Sequence, residues 1–87
     1  MAAKQIWKFD IGSDALIELP LGAEILSAQI QRGSPVLWAK VDPGESKKVR
    51  RLHVAGTGHD LPDDLGEFID TFQLENGLVF HLFNEAP

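Results

Sequence analysis

Phe68-Ile69-Asp70-Thr71-Phe72-Gln73-Leu74-Glu75-Asn76-Gly77-Leu78-Val79-Phe80-His81-Leu82-Phe83-Asn84 decides between a helical and a β reading of this chain. The helical reading rests on Leu61, Leu65, Phe68, Ile69 and Phe72, which fall at i, i+4 and i+7 spacing. Pro62 would open such a helix in its first turn, and Asp63 and Asp64 would suit its dipole. Asn76-Gly77 argues for strands. Both residues tolerate the φ > 0 of a type I′ turn, and the pair sits between two β-rich runs. A hairpin needs Thr71–Glu75 extended, so strand is predicted from about Glu67 onward, with at most one short helical turn near Pro62–Leu65. A two-residue turn would pair Glu75 with Leu78, Leu74 with Val79 and Phe72 with His81. One face would then carry Phe72, Leu74, Val79, His81 and Phe83, the other Ile69, Thr71, Gln73, Leu78, Phe80 and Leu82. The final run is apolar on both faces, and strands of that type are covered on both sides. The core supplies one cover. A second copy of the chain is the expected other, which makes a homo-oligomer the expectation.

Working back toward the N-terminus, turn signals recur at the spacing of an all-β protein. Gly12-Ser13-Asp14 separates Gln5–Ile11 from Ala15–Leu19, and Pro20-Leu21-Gly22 ends the second run. Glu24–Arg32 alternates Leu26, Ala28 and Ile30 with Ser27, Gln29 and Gln31, so one set is predicted to face the core. Arg32-Gly33-Ser34-Pro35 is a turn. Val36–Val41 places Leu37, Ala39 and Val41 on one face and Val36, Trp38 and Lys40 on the other. Asp42 to Ser46 is an exposed turn, and Lys47–Ala55 turns Leu52 and Val54 inward. The expected architecture is a single all-β domain over residues 1–87, with about seven short antiparallel strands. Closed and double-layered solutions both satisfy that pattern, so a small sandwich and a partly open barrel stand side by side.

Composition narrows the function classes. A chain of 87 residues is one small domain with a thin core, and association with other copies would help it. It has no cysteine, so neither a disulfide nor a thiolate metal site supports it. Met1 to Lys8 holds no apolar core of signal-peptide length, and no run approaches the ~18 apolar residues of a membrane span. A soluble intracellular protein, with no membrane partner, is the expectation. The formal net charge is −5, whereas duplex-binding domains show a basic footprint, so no duplex nucleic acid is expected as partner. The positive charge is nevertheless gathered at Lys47, Lys48, Arg50 and Arg51, and a small anionic ligand would suit that end.

The chemistry-bearing stretch is Gly56-Thr57-Gly58-His59-Asp60-Leu61-Pro62-Asp63-Asp64. Glycines admit close approach to the backbone, and successive N–H groups in such a turn form an anion-binding nest. The stretch is equally ordinary turn chemistry between strands. As a site it would use the backbone of Gly56, Thr57 and Gly58, the Thr57 hydroxyl and a cationic His59. Arg50 or Arg51 would grip phosphate in two-pronged fashion, and Trp7 or Trp38 would stack a base. It lacks the Lys-Ser/Thr that ends a P-loop. Core or interface packing is the competing role of the tryptophans. The serines, at 13, 27, 34 and 46, sit in turns or on polar faces without a nucleophile elbow, so hydrolase chemistry is not expected. His59 with Asp60, Asp63 or Asp64, and His53 with His81, lack any fixed metal-ligand spacing. Neither an enzyme nor a metal or other cofactor is expected.

Six runs taken in order carry a resemblance. They are Ile6-Trp7-Lys8, the stretch from Ile17 to Leu26, the stretch from Leu37 to Pro43, Gly56-Thr57-Gly58-His59, Thr71-Phe72-Gln73-Leu74, and the stretch from Leu78 to Phe83. Together they span nearly the whole chain, which resembles a family of small uncharacterised proteins of tailed phages and prophages. The resemblance implies a context rather than a reaction: action in the cytoplasm of the infected bacterial host, as an inhibitor, adaptor or sequestering protein. Function must still be argued from a site. The expected function is non-enzymatic binding. Its sharper form is sequestration of a small anionic or nucleotide ligand, such as an immune signal, with Gly56, Thr57, Gly58, His59, Arg51 and Trp38 as candidate binding residues. The alternative is an interaction module that inhibits or bridges a host protein or virion protein.

Overall fold

A computed structural model describes residues 3–12 and 14–85. Met1, Ala2 and Ser13, the last a member of the expected Gly12–Asp14 turn, lie outside the described residues. Seven strands follow in order: β1 (Gln5–Asp10), β2 (Leu16–Pro20), β3 (Glu24–Gln31), β4 (Ser34–Val41), β5 (Lys47–Gly56), β6 (Glu67–Gln73) and β7 (Val79–Asn84). All pairings are antiparallel. They build a three-stranded sheet in the order β1-β4-β3 and a four-stranded sheet in the order β2-β5-β7-β6. The molecule is thus a small β-sandwich and not a closed barrel. The Pro62–Leu65 region holds only a turn at Asp63-Asp64.

Alternation explains the core. On β4, Leu37, Ala39 and Val41 are all at most 1% exposed and face the second sheet. Register then brings Trp7 opposite Ala39 and Phe9 opposite Leu37 on β1, both half-buried against the core. Ile17, Leu19, Leu52, Phe72 and Leu82 supply the facing layer. Leu26, expected inward with Ala28, is instead 42% exposed. A β-bulge between Ile25 and Ser27 explains it. Ile25 pairs with Ala39 and Ser27 with Trp38, so Leu26 and Ser27 on β3 stand opposite the single Trp38 on β4 and the phase shifts.

The last hairpin forms, but one residue out of the expected register. Phe72 pairs with Phe80 and Thr71 with His81. The chain turns over Glu75-Asn76-Gly77, closed by Leu74 N to Leu78 O at 2.9 Å and Gly77 N to Leu74 O at 3.0 Å. Only Gly77 has positive φ, at 89°, so this is a three-residue loop ending in a left-handed glycine rather than a type I′ turn. The shift sorts the faces: Phe72, Phe80 and Leu82 turn to the core together. The two-residue turn with both φ positive lies elsewhere, at Arg32 (52°) and Gly33 (80°), joining β3 to β4.

β3 and β6, the outer strands of their two sheets, pack along each other. Asp70 closes this seam. Its Oδ2 accepts the backbone N–H of Ala28 at 3.0 Å, and its Oδ1 accepts that of Thr71 at 2.8 Å. A second bulge, between Phe68 and Asp70, places the carboxylate there. An acidic side chain thus takes the place of a backbone ladder between the sheets.

Candidate functional site

The expected site residues fall in three separate places. Gly56 ends β5, and Thr57 and Gly58 make the turn that follows. Thr57 N–H donates to Val79 O at 3.2 Å, and His59 N–H donates to Gly56 O at 3.1 Å. Two of the loop's N–H groups are therefore spent inside the protein. The Thr57 hydroxyl bonds His81 Nε2 at 2.8 Å, and His81 Nδ1 bonds the Thr71 hydroxyl at 2.9 Å. The His59 ring lies over Gly56, where an added Cβ would stand 2.8 Å from its Cε1. A side chain at 56 would need the exposed His59 ring to swing aside. Gly58, at φ 88°, needs its glycine for backbone shape alone, since an added Cβ would meet nothing.

Arg51 lies five residues back along β5, about 17 Å from Gly56 at strand rise. Its Nε sits 3.7 Å from Glu85 Oε2. Trp38 is in the other sheet. Because Leu37 and Ala39 face the core, Trp38 stands half-buried on the sandwich's outer face, paired with Lys8 and Ser27. The structure does not bring Trp38, Arg51 and the glycine–histidine loop together.

A different constellation is assembled around Arg51. β5 is ten residues long, and its two neighbours are staggered along it. β2 pairs with Lys47 through Arg51, β7 with Leu52 through Gly56. Where β7 stops, a groove of about 730 Å³ opens. Leu19, Pro20 and Ala23 give it an apolar floor, Lys48, Arg50 and Arg51 bring three cations, and Asn84 and Glu85 close its end. Arg50 is half-buried, and its Nη1 donates to Ala23 O at 2.9 Å, which fixes the guanidinium while leaving other N–H groups unused by that bond. Arg51 is exposed and lines the same groove. Asn84 Oδ1 is shielded from solvent and has no hydrogen-bond partner among the described residues.

The charge cluster at 47–51 is visible in the sequence, but Leu19, Ala23, Asn84 and Glu85 join it only through tertiary pairing. Nothing in the sequence states how far β7 overlaps β5. Among the described residues no three His, Asp or Glu side chains are grouped to hold a metal ion, and no helix is long and apolar enough to cross a membrane.

A family model described as a domain of unknown function, DUF7352, matches residues 2–87. The chain belongs to this family. No curated protein and no solved structure matches it. The family description carries no activity, so the chemistry of the groove is the ground for a functional reading.

Proposed function

We propose that the chain is a non-enzymatic binding protein of tailed phages or prophages, acting in the cytoplasm of the infected bacterium, that captures an anionic ligand in the groove beside β5. The observation that carries this reading is the gathering of Lys48, Arg50 and Arg51 around one concavity in a chain of net charge −5. A half-buried arginine held by a carbonyl is preorganised for an anion, because less side-chain freedom is lost on binding. The groove's lining holds no aromatic ring, and this supports recognition of the anion over stacking of a base. A nucleotide immune signal would be held here chiefly by its phosphates.

Calorimetry at low salt against inorganic tripolyphosphate and a panel of mono-, di- and cyclic nucleotides tests the reading. Binding should weaken with added salt, since screening acts on partly exposed charges. Lys48→Glu and Arg51→Glu should each weaken it at least tenfold, while His59→Ala leaves it unchanged. If no anion binds tighter than roughly 100 μM, about −5.5 kcal/mol, the reading fails. A homo-oligomer belongs to the same proposal. Phe68, 54% exposed, meets Phe83 edge-on with centroids 5.6 Å apart on the outer face of the last hairpin, and this supports a partner copy there.

A further inference from the structure

We propose that the groove receives an extended acidic peptide, which adds as a strand to the open edge of β5; this rests on the anion-binding reading above. The stagger of β2 and β7 makes the edge. Glu85 N–H donates to Arg51 O at 3.2 Å and is the last bond on the β7 side. From there to Lys47, that edge of β5 has no strand beside it among the described residues. Its polarity follows from alternation. Leu52 N–H donates to Ala15 O at 2.8 Å, on the β2 side, whereas Arg51 O points to the β7 side. Residues two apart on a strand aim their backbone groups alike. Lys48 and Arg50 therefore turn theirs to β2, and Leu21 N–H to Ser46 O at 2.8 Å keeps that phase. Lys47 and Val49 aim N–H and C=O at this edge, where no partner stands among the described residues. Unpaired groups of this kind are a template for an added strand.

Charge selects the occupant. Of the eight lysines and arginines in the chain, four stand at 47, 48, 50 and 51. Side chains of an added strand alternate. One set would lie over Leu19 and Ala23 between Lys48 and Arg50, the other beside Val49 and Arg51. Val49 is 59% exposed, so small apolar or β-branched residues suit its row. Carboxylates suit the cationic row. The four residues from Lys47 to Arg50, which have no strand beside them on this edge among the described residues, measure about 13 Å, which fits a peptide of four or five residues. The chain's own acidic stretch from Asp60 to Asp64 is a poorer occupant, because Pro62 cannot donate to a ladder.

The test uses fluorescence polarisation with a labelled eight-residue peptide alternating Glu with Val or Thr. Controls are the same peptide with Lys for Glu, and two versions N-methylated at alternate residues, one for each register. Inorganic tripolyphosphate is titrated in parallel by calorimetry. Saturable binding of the acidic peptide, none of the basic one, and at least a tenfold loss in one N-methylated register are expected. Val49→Pro removes an edge N–H without touching a bond to β2. It should abolish peptide binding and keep tripolyphosphate binding, with circular dichroism confirming the fold. If that variant does not fold, the N-methylated peptides decide alone. Tripolyphosphate binding without peptide binding, or indifference to N-methylation, overturns strand addition and leaves the anion reading standing. If neither probe binds, both fall, and the cations merely guard a bare edge against self-pairing. Self-association abolished by Val49→Pro would make a second copy the occupant and overturn the peptide proposal.

Discussion

Removing the Asp70 carboxylate should loosen the sandwich at the β3–β6 seam, and the size of the effect follows from two hydrogen bonds. Asp70 Oδ2 accepts from Ala28 N at 3.0 Å and Oδ1 from Thr71 N at 2.8 Å. Ala28 is 0% exposed, so in Asp70→Ala its N–H has no water to turn to. A hydrogen bond to an ionised group is worth about 1.5–3 kcal/mol, and a buried donor left unpaired costs about 1–3 kcal/mol. Thr71 is exposed and water would take the place of its lost partner. The net expectation for Asp70→Ala is therefore about 2 kcal/mol. Asp70→Asn has a distinct forecast. Asparagine keeps one oxygen and presents one NH₂, so it serves Ala28 but then faces the Thr71 N–H donor to donor. It should cost about 1 kcal/mol, roughly half the alanine effect. In a domain of this size each kcal/mol moves the melting temperature by about 4–8 °C, giving about 8–16 °C for alanine and half that for asparagine. Scanning calorimetry at pH 7 reads both values, and amide exchange at Ala28 should accelerate in parallel. If Asp70→Ala melts within about 2 °C of the parent, the seam is not held as described.

The turns give two further predictions. Gly77→Val should destabilise by about 1–2 kcal/mol through its left-handed backbone alone, since an added Cβ meets nothing within 4 Å; an unchanged urea midpoint would show that the loop can re-form without φ of 89°. Arg32→Asn should stabilise by about 0.5–1 kcal/mol, because asparagine tolerates the left-handed region that Arg32 occupies at φ 52°. A lower midpoint in urea would mean that the arginine side chain has a stabilising role that outweighs its backbone strain.

The strands were legible in the sequence because local chemistry sets them. Alternating Leu37, Ala39 and Val41, and the Gly- and Pro-rich punctuation between runs, need no distant partner to be read. Pairing offsets are different. Whether Asn76-Gly77 belongs to a two- or a three-residue loop changes the register by one, and the decision lies with which faces Phe72, Phe80 and Leu82 must share. Leu26 was expected inward because alternation assumes an unbroken ladder, and a bulge is set by the strand opposite. The candidate site suffered in the same way. Arg51, Trp38 and the Gly56–His59 loop each offer suitable chemistry, but Trp38 belongs to the other sheet and about 17 Å of β5 separates Arg51 from the loop. The basic cluster was visible, while the groove it borders depends on where β7 stops.

The stagger along β5 has a mechanical meaning as well as a chemical one. β5 works as a scarf joint: the four-stranded sheet is continuous only through this strand, with β2 fastened to one half and β7 to the other. Around Arg51 and Leu52 the two halves overlap by little more than the bonds to Glu85 and Ala15. Local opening of β2 therefore need not disturb β7 or β6, and amide exchange should resolve the two halves as separate units. A strand laid along Lys47–Val49 would lap the joint from the other side. It would brace the strand to which β2 is paired, so occupancy of one edge would be read out as protection on the opposite one.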